Sequence, residues 1–145
     1  MSEKNSKFYI GIKALIQNEK GQLLLLKSGP EEKKYTKVDF WDIPGGRIQE
    51  DQSIEDTLRR EVKEELDVDD IEIGDMFAAT ISKFGKNKNN DMYLMLIAYR
   101  CKLKAKNKFV LSGEHSEYKW ATIPEAKHLL SVKFSKDFTD KLDEL

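Results

Sequence analysis

Between Gly45 and Val68 the chain reads GGRIQEDQSIEDTLRREVKEELDV, with Glu61, Glu64 and Glu65 spaced three and four residues apart. On a helix, at about 100° per residue, these carboxylates fall within a sector of roughly 100°. Like charges held that close repel one another. Hard oxygen donors of this kind suit a divalent cation such as magnesium or manganese. A solvated face of an amphipathic helix is the plainer alternative, since most charge runs are solvated. Three neighbours favour the metal. The apolar stripe through Leu58 and Val62 lies beside the acids, so part of the acidic edge faces the protein. Arg60 can hold carboxylate rotamers. Gly45 and Gly46 let backbone approach the helix where a side chain would obstruct it.

These residues need a helix and strands to hold them. Ile54, Leu58, Val62 and Leu66 form an i, i+4 stripe after Ser53, a suitable N-cap with Asp56 at the third helical position. Upstream, Phe8–Ile16 and Gln22–Leu26 flank the turn Asn18–Gly21 and predict a β-hairpin. Ser28–Lys37 is polar and predicts a surface loop, and Val38–Ile43 predicts a strand stopped by Pro44-Gly45-Gly46. Downstream, strands are expected over Ile71–Phe84, Met92–Leu103 and Glu117–Thr122, with a hairpin tip at Gly85–Asn90. A helix follows from about Pro124 to Leu130, and Phe134, Phe138 and Leu142 mark a last one.

Composition narrows the partners. The 145 residues fit a single domain spanning 1–145, and 25 basic against 26 acidic residues leave a net charge of -1. A chain so balanced lacks the basic field that binds nucleic acid through its phosphates. The lone Cys101 forms no internal disulfide, and no Cys/His cluster suggests zinc. No apolar run reaches the roughly 20 residues of a membrane span, and the polar start, Met1–Lys7, lacks a signal peptide's apolar stretch. A cytoplasmic protein is expected, without membrane partners, as a monomer or homodimer.

The segment resembles the Nudix box: a glycine, five residues, a glutamate, seven residues, then Arg-Glu-apolar-x-Glu-Glu-x-Gly-apolar. Gly46 matches the opening glycine, and Arg60, Glu61, Val62, Glu64, Glu65 and Val68 match the second half. Trp41-Asp42-Ile43-Pro44-Gly45 is similar to the strand that leads into the box in many MutT-like members. Two positions depart. Gln52 stands at the first glutamate, keeping its shape but losing the charge that would pair with Arg60 or a cation; Asp67 stands at a glycine that ends the helix. The first departure predicts weaker metal affinity or rate, the second a cost in stability.

The resemblance implies an α/β fold, a Nudix-type α/β/α sandwich with a mixed β-sheet, the box helix on one face and the C-terminal helices on the other. It also implies a metal-dependent pyrophosphohydrolase cleaving a nucleoside diphosphate linked to another group, a noncanonical nucleoside triphosphate among the options, with release of a nucleoside monophosphate. Magnesium, or manganese, would be the cofactor and a small nucleotide the partner. The implied catalytic residues are Glu61, Glu64 and Arg60, the last as an orienting group. Glu61, Glu64, Glu65 and Gly45 would bind metal, with a further ligand from outside the box, Glu117 or its neighbour Glu114. Arg47, Lys27, Asp42 and Trp41 are the substrate-binding candidates, and Phe40, Tyr93 and Tyr99 could stack a base or sit in the core. His115 is expected to be an exposed loop residue. The competing reading is a Nudix-fold nucleotide-binding or regulatory module, its catalysis weakened by Gln52.

Overall fold

A computed structural model describes residues 5–85, 92–105 and 109–145. The elements are β1 (Phe8–Ile16), β2 (Leu23–Ser28), α1 (Pro30–Thr36), β3 (Trp41–Asp42), β4 (Gly45–Arg47), α2 (Ile54–Leu66), β5 (Ile71–Ile81), β6 (Tyr93–Leu103), β7 (His115–Ala121), α3 (Ile123–Leu130) and α4 (Lys136–Lys141), followed by a 3-10 turn at Leu142–Glu144. Two sheets form. One is mixed, in the order β4-β1-β6-β5, with β1 parallel to β6 and its other pairings antiparallel; the second, β3-β2-β7, is antiparallel.

Strand periodicity divides the interior. Ile12, Ala14 and Ile16 of β1 and Leu24 and Leu26 of β2 pack against Leu58, Val62 and Leu66 of α2. The alternate residues Leu15, Leu23 and Leu25 pack against Ala126 and Leu130 of α3, Phe134, and Phe138 of α4. Helices therefore cover both faces of the strands, as the α/β/α expectation requires. Ser53 caps α2 by accepting from the Asp56 amide, and Asp67 ends it at φ 58, a left-handed residue that also receives Lys63 Nζ at 2.6 Å. Asp tolerates this conformation better than most residues do, which reconciles the departure at this box position with a properly terminated helix.

Several expectations need correction. Phe8–Ile16 and Gln22–Leu26 are not partners in one hairpin: β1 and β2 enter different sheets and share only a bridge, Gln17 to Leu23. A second, antiparallel sheet accompanies the expected mixed one. Ser28–Lys37 contains α1, with Pro30 in its first turn, Glu31 and Glu32 beside it and Lys33 and Lys34 at its end. This is the charge order a helix macrodipole favours. The strand expected over Val38–Ile43 shrinks to Trp41–Asp42. Of the tip expected at Gly85–Asn90, only Gly85 lies inside the described residues. No helix among the described residues is long and apolar enough to cross a membrane.

Candidate active site

The glycine bend and α2 meet at contact distance. Gly45 sits at φ 142, a conformation that favours glycine, and a Cβ there would lie 2.1 Å from the Ile12 carbonyl oxygen. A Cβ on Gly46 would lie 2.3 Å from the Glu61 carboxyl carbon. Only glycine admits the Glu61 side chain at this place. The Gly45 N–H donates to Glu65 Oε1 at 2.7 Å, tying the bend to the helix. Arg60 Nη2 donates to Glu61 Oε1 at 3.0 Å and to the Arg47 carbonyl at 3.3 Å, so it fixes the rotamer of its neighbour.

The three helix acids differ in environment. Glu65 is buried, Glu61 is partly buried and Glu64 is exposed. Burial raises the Glu61 pKa, and the charge of Glu65 pushes the same way; Arg60 opposes, and Glu64 adds a further upward push. Crowded carboxylates with one arginine among them fit a hard divalent cation, which would relieve that repulsion through oxygen donors alone.

His115 is not the exposed loop residue the sequence suggests. It opens β7, is buried, and its Nε2 lies 2.6 Å from Glu65 Oε2, with Nδ1 3.3 Å from the Lys27 carbonyl. Both ring nitrogens face oxygen atoms, an arrangement the doubly protonated imidazolium satisfies. Burial pulls the His115 pKa down, but the hydrogen bond and charge of Glu65, helped by Glu32 and Asp42, outweigh it and hold the value above that of an ordinary histidine. Glu114 adjoins this pair: ligand atoms of Glu65, Glu114 and His115 lie within 4.8 Å of one another. The Glu114 carbonyl accepts from the Gly29 amide at 2.9 Å, and a Cβ on Gly29 would sit 2.6 Å from that oxygen.

Glu65, Glu114 and His115 line a cavity of about 590 Å³. Tyr9, Gly11 and Lys13, alternate residues of β1, share its wall, and Arg47 stacks over the Tyr9 ring at 4.3 Å. At the other end, Lys13 and Lys133 both donate to Asp42 Oδ2, at 3.2 and 2.5 Å, and all three side chains are buried. Burial alone would raise the Asp42 pKa; the two ammonium charges overcome it and hold the carboxyl well below the usual carboxylate range. Burial lowers the Lys133 pKa despite Asp42, whereas for Lys13 the charges of Asp42 and Glu65 win over burial and raise it.

Of the residues singled out in the sequence, Gly45, Gly46, Glu65, Asp42, Arg47, Glu114, Phe40 and Tyr93 line this cavity, and Glu61 abuts Gly46 at its edge. Lys27, Trp41 and Glu117 lie elsewhere. Lys27 pairs with Glu117 at 3.2 Å on the partly exposed side of the second sheet, and Trp41 packs on the core beneath Lys119. Lys13, Glu32, His115 and Lys133 were not singled out for the site. Their signal is fold-dependent: a lysine inside the apolar run FYIGIKALI is the one hint in the sequence itself.

Comparison with known proteins agrees with this layout. The NUDIX domain family matches residues 7–142. The MutT protein of Methanosarcina mazei is 26% identical, with a TM-score of 0.72 over 98% of this chain and 95% of its own. The dihydroneopterin triphosphate pyrophosphohydrolase of E. coli is 20% identical with a TM-score of 0.71, over 98% and 97% of the two chains. An Ap4A hydrolase of C. elegans is 17% identical with a TM-score of 0.66, over 92% and 93%. No curated protein matches the sequence. With its box helix, glycine bend and mixed sheet assembled in this way, the chain belongs to the Nudix hydrolase family.

Proposed function

We propose that this protein is a divalent-metal-dependent pyrophosphohydrolase that cleaves the diphosphate of a small nucleotide and releases a nucleoside monophosphate. The observation that carries this reading is Gly46, whose missing side chain lets the Glu61 carboxylate lie against the bend at the edge of a cavity large enough for a nucleotide. Fold neighbours known as a dihydroneopterin triphosphate pyrophosphohydrolase and an Ap4A hydrolase support the bond class.

In this reading Glu64, Glu65 and the Gly45 carbonyl would hold the cation, with Glu114, close to Glu65, as the ligand from outside the box. Bound magnesium would neutralise diphosphate oxygens and lower the pKa of an attacking water. Glu61 would either bind the same cation or take the proton from that water, while Arg60 keeps its carboxylate oriented. Arg47, exposed beside the acids, binds the substrate's phosphates. The test is hydrolysis of nucleoside triphosphates and dinucleotides with and without magnesium, scoring products. Magnesium-dependent release of a monophosphate, lost in Glu64→Gln and Glu61→Gln, is expected; no turnover of any diphosphate would overturn the reading.

One observation favours a second reading, a nucleotide-binding module with weakened catalysis. Gln52 Oε1 and Arg60 Nε are both buried without a hydrogen-bond partner among the described residues. The box position that normally carries charge is left unsatisfied here. Nucleotide binding without turnover, together with hydrolysis gained in Gln52→Glu, would establish this second reading.

A further inference from the structure

The inner end of the cavity holds Lys13, Lys133, Asp42 and Glu32, two cations and two carboxylates. The three ammonium protons of Lys13 are taken, by Asp42 Oδ2 and by the Ile43 and Gly45 carbonyls at 3.4 and 3.5 Å. Asp42 is likewise engaged: Oδ2 accepts both lysines and Oδ1 accepts the Ile43 amide at 2.8 Å. Lys133 is different. Its side chain is 9% exposed, it lines the cavity, and Asp42 is its one hydrogen-bond partner among the described residues, which leaves two of its three protons without an acceptor among them. Its backbone is pinned on both sides, the amide donating to the Leu130 carbonyl and the carbonyl accepting from the Lys83 amide at 2.7 Å. Glu32, half-buried on α1, lines the same space and is felt electrostatically by Lys133.

Phe40 and Phe84 form an edge-on pair, centroids 4.9 Å apart, on this wall, with Lys133 Nζ 5.5 Å from the Phe40 ring. The charges at this end cancel, so a phosphate has no advantage here and would meet two carboxylates. A flat, neutral ring with acceptors for Lys133 and a donor for Glu32 fits.

We propose that Lys133, held in place by Asp42, is a specificity-determining residue that reads the nucleobase by donating two hydrogen bonds to adjacent ring acceptors, with Glu32 accepting from a neighbouring N–H and Phe84 offering a stacking face. This rests on the nucleotide reading above and narrows it. Guanine presents O6 beside N7 and an N1–H/N2–H edge, and cytosine presents O2 beside N3 and an exocyclic amine. Both satisfy the pattern. Adenine and uracil do not, because each places a donor between its acceptors. Asp42 is then a positioning residue.

The experiment is titration of the full-length protein, without metal, with GMP, CMP, AMP and UMP, followed by amide chemical shifts. GMP or CMP should bind about tenfold more tightly than AMP and UMP, within the range a two-bond base contact supplies. Lys133→Met should bring all four within about twofold of one another, while Lys133→Arg should keep the preference. Thermal melting checks that the variants fold. Glu32→Gln, on the half-buried α1, carries the same test if Lys133→Met does not fold, and should also narrow the preference. Equal binding of all four bases, a preference that survives Lys133→Met, or no binding of any base in the millimolar range would overturn the inference. Magnesium-dependent turnover without base preference would sink it and leave the hydrolase reading standing; base preference without turnover of any diphosphate would do the reverse.

Discussion

Replacing Asp42 with asparagine isolates the charge arrangement on which the cavity's inner end depends. In the native protein one carboxylate serves two buried ammonium groups, with the lysine side chains 7% and 9% exposed and the Asp42 side chain 5% exposed. Asparagine has nearly the same shape as aspartate, so packing changes little while the anion disappears. Two buried cations then lose the carboxylate they share, leaving the more distant Glu32 and Glu65 as counter-charges, and removing one partner of a buried ion pair typically costs about 3–5 kcal/mol. For a chain of this length that corresponds to a fall in Tm of about 6–20 °C.

The pH dependence has a definite sign. The folded pKa of Asp42 lies below its ordinary value of 3.8, so its stabilising contribution is present above 3.8 and is lost as pH falls through the folded pKa. The gap between wild type and Asp42→Asn should therefore be full near neutrality and close in acid. On the alkaline side the variant recovers, because Lys133, whose pKa burial already lowers, can shed its proton. Urea denaturation across pH, with Lys133→Met placed on both backgrounds, measures the coupling directly. A loss below about 1 kcal/mol at pH 7, or a double variant no more stable than Asp42→Asn alone, would refute the electrostatic account.

The two glycines of the bend should separate folding from chemistry. Gly45→Ala drives a Cβ into the Ile12 carbonyl at 2.1 Å and should unfold the protein or cost several kcal/mol. The nearest atoms to a Cβ in Gly46→Ala are the flexible end of Glu61, so its thermal melt should stay near that of wild type while hydrolysis falls as far as in Glu61→Gln; equal losses of stability in the two variants would contradict this. Glu61→Gln itself should lower kcat by about 10²–10⁴-fold, the usual contribution of a general base, with the fold intact by circular dichroism. Burial pushes the Cys101 thiol up to about 12, so a thiol reagent at pH 8 should leave it unmodified in the native protein and label it after unfolding.

What the sequence made legible is what local chemistry dictates. The α2 stripe, its Ser53 cap and the spacing of Glu61, Glu64 and Glu65 are properties of consecutive residues, and the helix forms as the pattern requires. The α1 helix was hidden because Pro30 is equally at home in a turn and in a helix's first turn, and only the following Glu-Glu-Lys-Lys charge order distinguishes the two. The hairpin expectation failed because adjacency in sequence does not choose between pairing β2 with β1 and pairing it with β7, and β2 pairs with β7, Leu23 opposite Ala121 and Leu26 opposite Tyr118, far along the chain. The inner end of the cavity was illegible for the same reason. Lys13, Asp42 and Lys133 come from β1, β3 and the segment after α3, up to 91 residues apart for a bonded pair; Asp42 stood out by its place before the box and Lys13 by its apolar neighbours, but nothing local marks Lys133 or joins the three. A buried cation becomes visible only when the fold supplies its anion. The box therefore announces the class of reaction, while the choice of substrate is written in long-range contacts that no local spacing encodes.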